Sequence, residues 1–340
     1  MTLSQDPPIQ RQTVRDTPYS ESSTDLNQSG HPPLGAETEP IRLNGCDCII
    51  QRQVPLAGLT SFRVGGPAEL YATPRNLNEL RACFDWGDRH SVPVMLLGAG
   101  SNMLVSDRGL PGLVIATRYL RHSRFDEDAG RITAAAGVPM AKLAWQAARR
   151  GWQGFEWAVG IPGSLGGSVV MNAGAHGVAM ADVLISADVL SLDNTLTQLV
   201  PVDLDYSYRT SNLQGDRRLV TCAVLQLQPG ADPQLVLEQT SEHLERRRTT
   251  QPYHLPSCGS VFRNPSSRSA GWLIENTGLK GYQIGGAQVA ERHANFILNV
   301  ENATASDIFR LIRHVQEQVE HHWSLLLKPE VKMLGEFPAV

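Results

Sequence analysis

Apolar positions along the chain switch repeatedly between helical and strand spacing. Asn76 followed by Glu79 is an N-cap signature, and Leu77, Leu80 and Phe84 then recur on one helical face, predicting a helix that stops near Gly87. A compact apolar run, Val92 to Leu97, predicts a strand; Gly98-Ala-Gly-Ser-Asn102 breaks it, and a second run follows at Leu113 to Ala116. Arg131 to Gly137 reads as a strand, and Met140 to Arg150 as a helix carrying Leu143, Trp145 and Ala147. Ala187–Leu192 and Thr195–Val200 flank Asp193-Asn194, the pattern of a hairpin. Asp232-Pro233 is a cap and first-turn pair for a helix running to about Arg248. Ile308, Leu311, Ile312, Val315, Val319 and Trp323 form a single apolar stripe at offsets 0, 3, 4, 7, 11 and 15. Helices and strands mix without strict βαβ alternation. The expectation is an α+β fold, with a linker at Gln228 to Pro233 dividing it.

At 340 residues and 41% apolar, the chain can bury a sizeable core, and its length suggests more than one domain. No stretch approaches the ~18 consecutive apolar residues that span a bilayer. Thirty Lys and Arg against 34 Asp and Glu give a net charge of −4 with no basic block, which argues against a nucleic-acid binder. The first forty residues differ from the rest. They hold six prolines, six acidic and two basic residues, so their charge (2 − 6 = −4) equals that of the whole chain. Such a segment buries too little apolar surface to offset the entropy of ordering, so a disordered polar tail is expected over residues 1–50. It lacks the basic and apolar regions of a secretory signal. The five cysteines are odd in number and mostly scattered, and Cys46-x-Cys48 has no second ligand pair, so no metal site is expected. Reduced thiols in a cytoplasm fit best.

Two glycine-rich segments carry the candidate chemistry. Leu97-Gly-Ala-Gly-Ser-Asn-Met-Leu104 follows an apolar strand, and its small residues let backbone N–H groups approach an anion, with Ser101 and Asn102 as added donors. Gly160-Ile-Pro-Gly-Ser-Leu-Gly-Gly-Ser-Val-Val-Met-Asn-Ala-Gly174 packs five glycines into fifteen residues, costly inside any helix or strand. Gly98-x-Gly100-x-x-Met103 is not the full dinucleotide fingerprint, since a third glycine and a long following helix are missing. Either loop alone could be a pair of tight turns. Together with Arg63-Val-Gly-Gly-Pro67 upstream, they point to a ligand containing a pyrophosphate.

These segments, with Met171-Asn-Ala-Gly174, Tyr208-Arg-Thr-Ser211, Gly259-Ser-Val-Phe-Arg-Asn-Pro265, Gly278-Leu-Lys-Gly-Tyr-Gln-Ile-Gly-Gly286 and Lys328-Pro-Glu-Val331, resemble the UDP-N-acetylenolpyruvoylglucosamine reductases over residues ~53–335, in family order. The glycine loops alone would suggest only the wider vanillyl-alcohol-oxidase (PCMH) type of FAD fold. The resemblance implies a two-part FAD-binding region over residues 53–230, its parts meeting near 118–130, and a C-terminal α+β substrate-binding domain over 231–337. It also implies non-covalent FAD, NADPH as co-substrate, a UDP-sugar substrate and a step in peptidoglycan precursor synthesis. Protein partners are left open.

In that family NADPH reduces the flavin, and hydride then passes to the methylene carbon of the enolpyruvyl ether. Negative charge builds on the substrate carboxylate, so cations must face it and an acid must reach the adjacent carbon. The resemblance assigns the acid to Ser260, the enolate clamp to Arg209 and a catalytic carboxyl to Glu330. Neighbouring Cys258 is the more acidic group and stays open as an alternative donor, although the motif register favours Ser260. Arg63, Gly65, Gly66, Gly98, Gly100, Ser101, Asn102, Gly160, Pro162, Gly163, Gly166, Gly167, Asn172 and Gly174 match cofactor positions. Tyr208, Asn264 and His293 match substrate positions. Two departures stand out. Arg248-Thr-Thr-Gln-Pro252 lacks the lysine common there, leaving Arg247 or Arg248 to replace it, and His176 stands where tyrosine is common. The stretch from Arg209 to Ser260 is too short for the extra tyrosine loop of one subgroup, which implies the shorter, second one. Two other readings remain: a different FAD oxidoreductase of the same cofactor fold, or a non-catalytic flavin-binding module.

Overall fold

A computed structural model of the protein describes residues 39–338. Most of the expected tail, residues 1–38, lies outside the described residues. Its expected end at residue 50 needs correction. Strand Ile41–Arg42 pairs antiparallel with strand Ile49–Pro55, and Leu43, Cys48 and Ile50 are buried. The apolar content of this short hairpin is enough to order it.

Two five-stranded sheets form the first part of the body. The first runs Ile41–Arg42, Ile49–Pro55, Pro67–Ala72, Leu110–Ala116, Val94–Leu97, antiparallel at its first two pairings and parallel at the others. The second is antiparallel throughout: Leu196–Leu199, Leu184–Leu190, Leu219–Gln226, Arg131–Ala135, Ser123–Asp126. The chain passes from one sheet to the other between Ala116 and Ser123. The hairpin anticipated around Asp193-Asn194 is present, with Leu190 opposite Leu196 and Asn194 in the left-handed region at φ 64°.

The described residues form six α-helices: α1 (Leu77–Arg89), α2 (Met140–Ala148), α3 (Leu165–Val170) and α4 (Pro233–Thr250), then α5 (Ala270–Asn276) and α6 (Ala305–Trp323), which build a second core. Asn76 caps α1 by accepting from the Glu79 N–H, and the Glu79 carboxylate accepts from the Arg75 N–H, so the sequence signature is realised. In α6 the predicted stripe is the buried face. Ile308, Leu311, Ile312, Val315 and Val319 are all buried, and a Thr304–Asp307 capping box starts the helix.

The division into domains differs from the expected boundary near residue 231. Helix α4 packs on α2 and on the 156–160 turn, and Leu244 on α4 joins the core of the two sheets. The second core starts only at Cys258, and it recruits Phe62, Val64 and Leu104 from far upstream. Strand Lys332–Leu334 pairs parallel with Met103–Val105, which stitches the end of the chain to the first glycine loop. The Asp107 carboxylate accepts the N–H groups of Ala305 and Ser306 at 2.8 Å each, tying the start of α6 to the same region. This seam positions the site.

Candidate active site

A cavity of about 590 Å³ opens along the seam. Its walls come from the strand and loop 94–103, the segment 161–174, the segment 208–220, the turn 258–264 and the chain end 330–334. Of the expected cofactor residues, Gly98, Gly100, Ser101, Asn102, Pro162, Gly163, Gly166, Gly167 and Gly174 line it. The two glycine loops therefore face one another, and the Ser101 hydroxyl donates to the Pro162 carbonyl at 3.2 Å.

Glycine is required in this wall for two different reasons. A Cβ on Gly100, which sits at φ +66°, would stand 2.1 Å from the Leu59 carbonyl oxygen, so this glycine lets backbone segments touch. A Cβ on Gly98 would instead point at the Ser164 hydroxyl, 3.1 Å away. Ser164 Oγ is buried and has no hydrogen-bond partner. A buried polar atom without a partner is costly, and here it lies between two glycine loops that leave room for a ligand. The residues fit a flavin dinucleotide: Gly98, Ser101, Asn102, Gly163, Ser164 and Gly167 would hold its phosphates, and Arg247 reaches the same cavity.

Several expected cofactor and substrate residues lie outside this wall. Arg63 is exposed, and Gly65 and Gly66 serve packing, since a Cβ on Gly66 would stand 2.2 Å from the Asp107 carbonyl oxygen. Gly160 makes room for Arg247, whose Cδ would be 2.3 Å from a Cβ there. Asn172 is buried behind the wall; it donates to the Ser207 carbonyl and accepts from the Ala181 N–H, both at 3.0 Å. His293 is also off the wall. It accepts from the Asn295 N–H at 3.3 Å and packs on Phe296, and burial holds its imidazole below the usual pKa. At Gly65, Gly66, Gly160, Asn172 and His293 the groups beside the residue are protein, whereas Arg63 faces solvent.

At the other end of the cavity three expected catalytic residues come together. Arg209 Nε lies 3.3 Å from Glu330 Oε1, with side chains 22% and 16% exposed. Its Nη2 donates to the Gly174 carbonyl at 2.6 Å, whereas Nη1 reaches the Asn172 carbonyl only at 3.5 Å, leaving that N–H the weakest engaged. Arg209 is held at φ 56° in a tight turn where Ser207 and Thr210 exchange backbone hydrogen bonds of 3.1 Å. Glu330 is fixed through its backbone: its N–H donates to the Val261 carbonyl at 2.7 Å, and its carbonyl accepts from Asn102 Nδ2 at 3.1 Å. Burial pushes the Glu330 carboxyl above the usual carboxylate range, and Arg209 and Arg263 pull it back only in part. Ser260 lines the cavity on the same turn as Gly259, which sits at φ +83°. Tyr208 and Asn264 line the rim, 3.5 Å apart from OH to Nδ2.

Of the two arginines that could replace the missing lysine, Arg247 lines the cavity, while Arg248 is exposed and its carbonyl accepts from Arg292. His176 is not in the wall; its ring lies 4.4 Å from that of His243 beside a separate hollow. Sequence reasoning missed Ser164, Lys332 and Arg263. Lys332 lines the cavity, and burial lowers its ammonium pKa, with Arg263 adding to the effect. Ser164 stands in the second glycine segment and Arg263 in the 259–265 motif, so their neighbours carried a signal, whereas Lys332 looks ordinary in its local sequence and only the fold brings it forward.

A cofactor-sized cavity between two glycine loops, closed by an arginine–carboxylate pair, defines a flavin-dependent oxidoreductase. Comparison with known proteins agrees. Residues 68–199 match the FAD binding domain model, and residues 251–334 match the UDP-N-acetylenolpyruvoylglucosamine reductase C-terminal domain model. The chain is 60% identical over 303 residues to the UDP-N-acetylenolpyruvoylglucosamine reductase of Trichormus variabilis, covering 89% of this chain and 92% of that one. Its counterpart in Synechocystis is 56% identical over 308 residues, covering 90% and 97%. The crystal structure of the Thermus caldophilus reductase superimposes with a TM-score of 0.72 at 35% identity, covering 84% of this chain and 98% of that one. The chain belongs to the UDP-N-acetylenolpyruvoylglucosamine reductase family. It is an FAD-dependent, NADPH-using enzyme of peptidoglycan precursor synthesis with an α+β fold.

Proposed function

We propose that Arg209, Glu330 and Ser260 carry the reduction of the enolpyruvyl UDP-sugar to UDP-N-acetylmuramate. FAD, held between the two glycine loops, would supply the redox chemistry, the passage of hydride from NADPH to the substrate's methylene carbon. The reading rests on one observation above all: the Arg209–Glu330 pair and Ser260 line one cavity with both glycine loops. Arg209 is the cation that meets the substrate carboxylate, since a planar guanidinium pairs bidentately with it and Nη1 is only weakly engaged otherwise. As negative charge spreads onto that carboxylate, a fixed cation stabilises it without reorganising. Glu330 orients Arg209, and its raised pKa suits it to hold or pass a proton. Ser260 delivers the proton to the carbon next to the carboxylate. The neighbouring Cys258 is less suited, since burial and Glu330 push its thiol pKa well up and it belongs to the second core.

The UDP-sugar reaches the site past Tyr208 and Asn264. A cytoplasmic location is part of the same proposal: the substrates are soluble nucleotides, all five cysteines are free, and among the described residues no helix is long and apolar enough to cross a membrane. The test separates the two half-reactions by stopped-flow absorbance. Ser260→Ala should leave reduction by NADPH nearly untouched and slow the transfer to substrate by about 10²–10⁴-fold, the usual cost of losing a positioned acid. Ser260→Cys should recover part of that loss. Equal slowing of both half-reactions by Ser260→Ala would make Ser260 a wall residue and not the acid.

A further inference from the structure

Arg263 reaches from the downstream segment to the turn that carries Arg209, yet it does not itself line the cavity. Its backbone is fixed on both sides. Phe262 bridges to Pro329, the Arg263 N–H donates to the Lys328 carbonyl at 2.9 Å, and the Asn295 side chain clamps the Phe262 N–H and carbonyl at 2.9 and 2.8 Å. From this anchored base the guanidinium crosses the seam. Nη1 donates to Thr210 Oγ1 at 2.9 Å, and Nη2 donates to Gln214 Oε1 at 3.3 Å. Gln214 in turn donates through Nε2 to the carbonyl of Arg209 at 2.8 Å and to that of Val170 at 3.3 Å. The residue on which all of this converges, Arg209, is a non-glycine residue at φ 56°. A left-handed backbone at such a residue is strained and persists only where its surroundings impose it.

We infer that Arg263 is a positioning residue for the carboxylate clamp: through Thr210 and Gln214 it holds the 207–214 turn so that Arg209 faces Glu330. The inference rests on the roles proposed above for Arg209 and Glu330. Two further observations support it. Arg263 Nε is buried with no hydrogen-bond partner, so the guanidinium's side-chain hydrogen bonds are the two that cross to Thr210 and Gln214. Arg263 is also the second cation acting on Glu330. The charged and titratable groups that face that carboxylate are Arg209 at 3.3 Å, Arg263, and the buried thiol of Cys258, with Lys332 lining the same cavity two residues on. Removing Arg263 takes away a positive charge, so the Glu330 pKa must rise further.

Three variants separate positioning from charge. Arg263→Lys keeps the charge but not the fork, and Thr210→Val removes the acceptor of Arg263 Nη1 while leaving Arg263 and the cavity lining in place. Each should slow transfer to the enolpyruvyl substrate by about 10–100-fold, as expected for a displaced reacting group, with reduction by NADPH unchanged. Arg263→Gln removes both fork and charge. It should show the same slowing and, in addition, move the Glu330-controlled limb of the pH profile to higher pH, a shift that neither of the other variants should show. The NADPH half-reaction reports that each variant is folded and loaded. Parent-like transfer rates and pH profile in Arg263→Gln would overturn the inference, as would equal loss in both half-reactions. Arg209→Lys and Glu330→Gln run alongside: if they too transfer normally, the clamp assignment has failed, whereas if they are slow while Arg263→Gln is normal, only the positioning role has.

Discussion

Replacing Arg209 by lysine keeps a positive charge at the clamp and removes its directionality. In the structure Arg209 engages three acceptors: Glu330 Oε1 at 3.3 Å, the Gly174 carbonyl at 2.6 Å and, more weakly, the Asn172 carbonyl at 3.5 Å. A lysine ammonium is a point donor on a flexible stem and cannot satisfy Glu330, Gly174 and a substrate carboxylate from one fixed plane. At least one charge-assisted hydrogen bond is lost, worth about 1.5–3 kcal/mol. Because both side chains are less than a quarter exposed, at 22% and 16%, solvent screening removes little of this. If the lost bond is one made to the charge-bearing carboxylate, transfer to substrate slows by about 10–100-fold, each 1.4 kcal/mol being a factor of ten. The assay is anaerobic stopped flow: enzyme reduced with NADPH is mixed with enolpyruvyl-UDP-N-acetylglucosamine, and the return of flavin absorbance is timed. Reduction by NADPH in a separate shot is the control. A lysine variant with parent-like transfer would refute the clamp, and one slowed equally in both shots would make Arg209 a scaffold of the cavity.

Three other outcomes follow from the same structure. The purified protein should be yellow, and denaturation followed by filtration should release all the FAD; colour retained on the chain would contradict the non-covalent assignment. A chain starting at residue 39 should bind flavin and turn over like the full chain, whereas one starting at 51 loses buried Leu43, Cys48 and Ile50 and should melt lower, at about 1.5–3 kcal/mol for each fully buried aliphatic side chain; equal melting temperatures would show that the first hairpin adds nothing. Glu330 has a folded-state pKa above its ordinary 4.5, so the folded protein holds that proton more tightly than the unfolded chain and loses stability as pH rises through this window. Glu330→Gln should therefore gain urea resistance relative to the parent as pH increases from that value, and a pH-independent difference would show that the carboxyl is not destabilised by burial.

The parts of the fold that were legible in sequence are those fixed by local physics. The α6 stripe, the Asn76 and Asp232 caps and the hairpin at Asp193-Asn194 each depend on residues within a turn or two of one another, and all are present. Contacts between distant segments were not legible. Nothing in Lys332-Met-Leu334 announces a parallel partner at Met103–Val105, yet that pairing carries Glu330 to Asn102 and so builds the site. The glycines show the same limit. Gly66 and Gly98 look alike in sequence, but one admits the Asp107 backbone and the other faces the ligand cavity. A glycine reports that something must come close, and only the fold says whether that something is protein or ligand.

The seam also explains why the chemistry is divided as it is. Arg209 lies in the loop between strands Leu196–Leu199 and Leu219–Gln226 of the second sheet, whereas Ser260 and Glu330 belong to the segment whose core contains Cys258, Val261 and Val331. On separate bodies, the groups proposed as acid and clamp would drift apart by more than catalysis tolerates, since roughly 1 Å of misplacement can cost about 10²-fold in rate. Here the two bodies are not independent. Phe62, Val64 and Leu104 from the upstream region complete the downstream core, the chain end adds a strand beside Met103–Val105, and Arg263 reaches back to Thr210 and Gln214. Each tie lands within a few residues of a group that lines the cavity: Leu104 follows Asn102, Lys332 follows Glu330, and Thr210 follows Arg209. The same contacts that stabilise the seam therefore set the distance across which Arg209 and Glu330 meet.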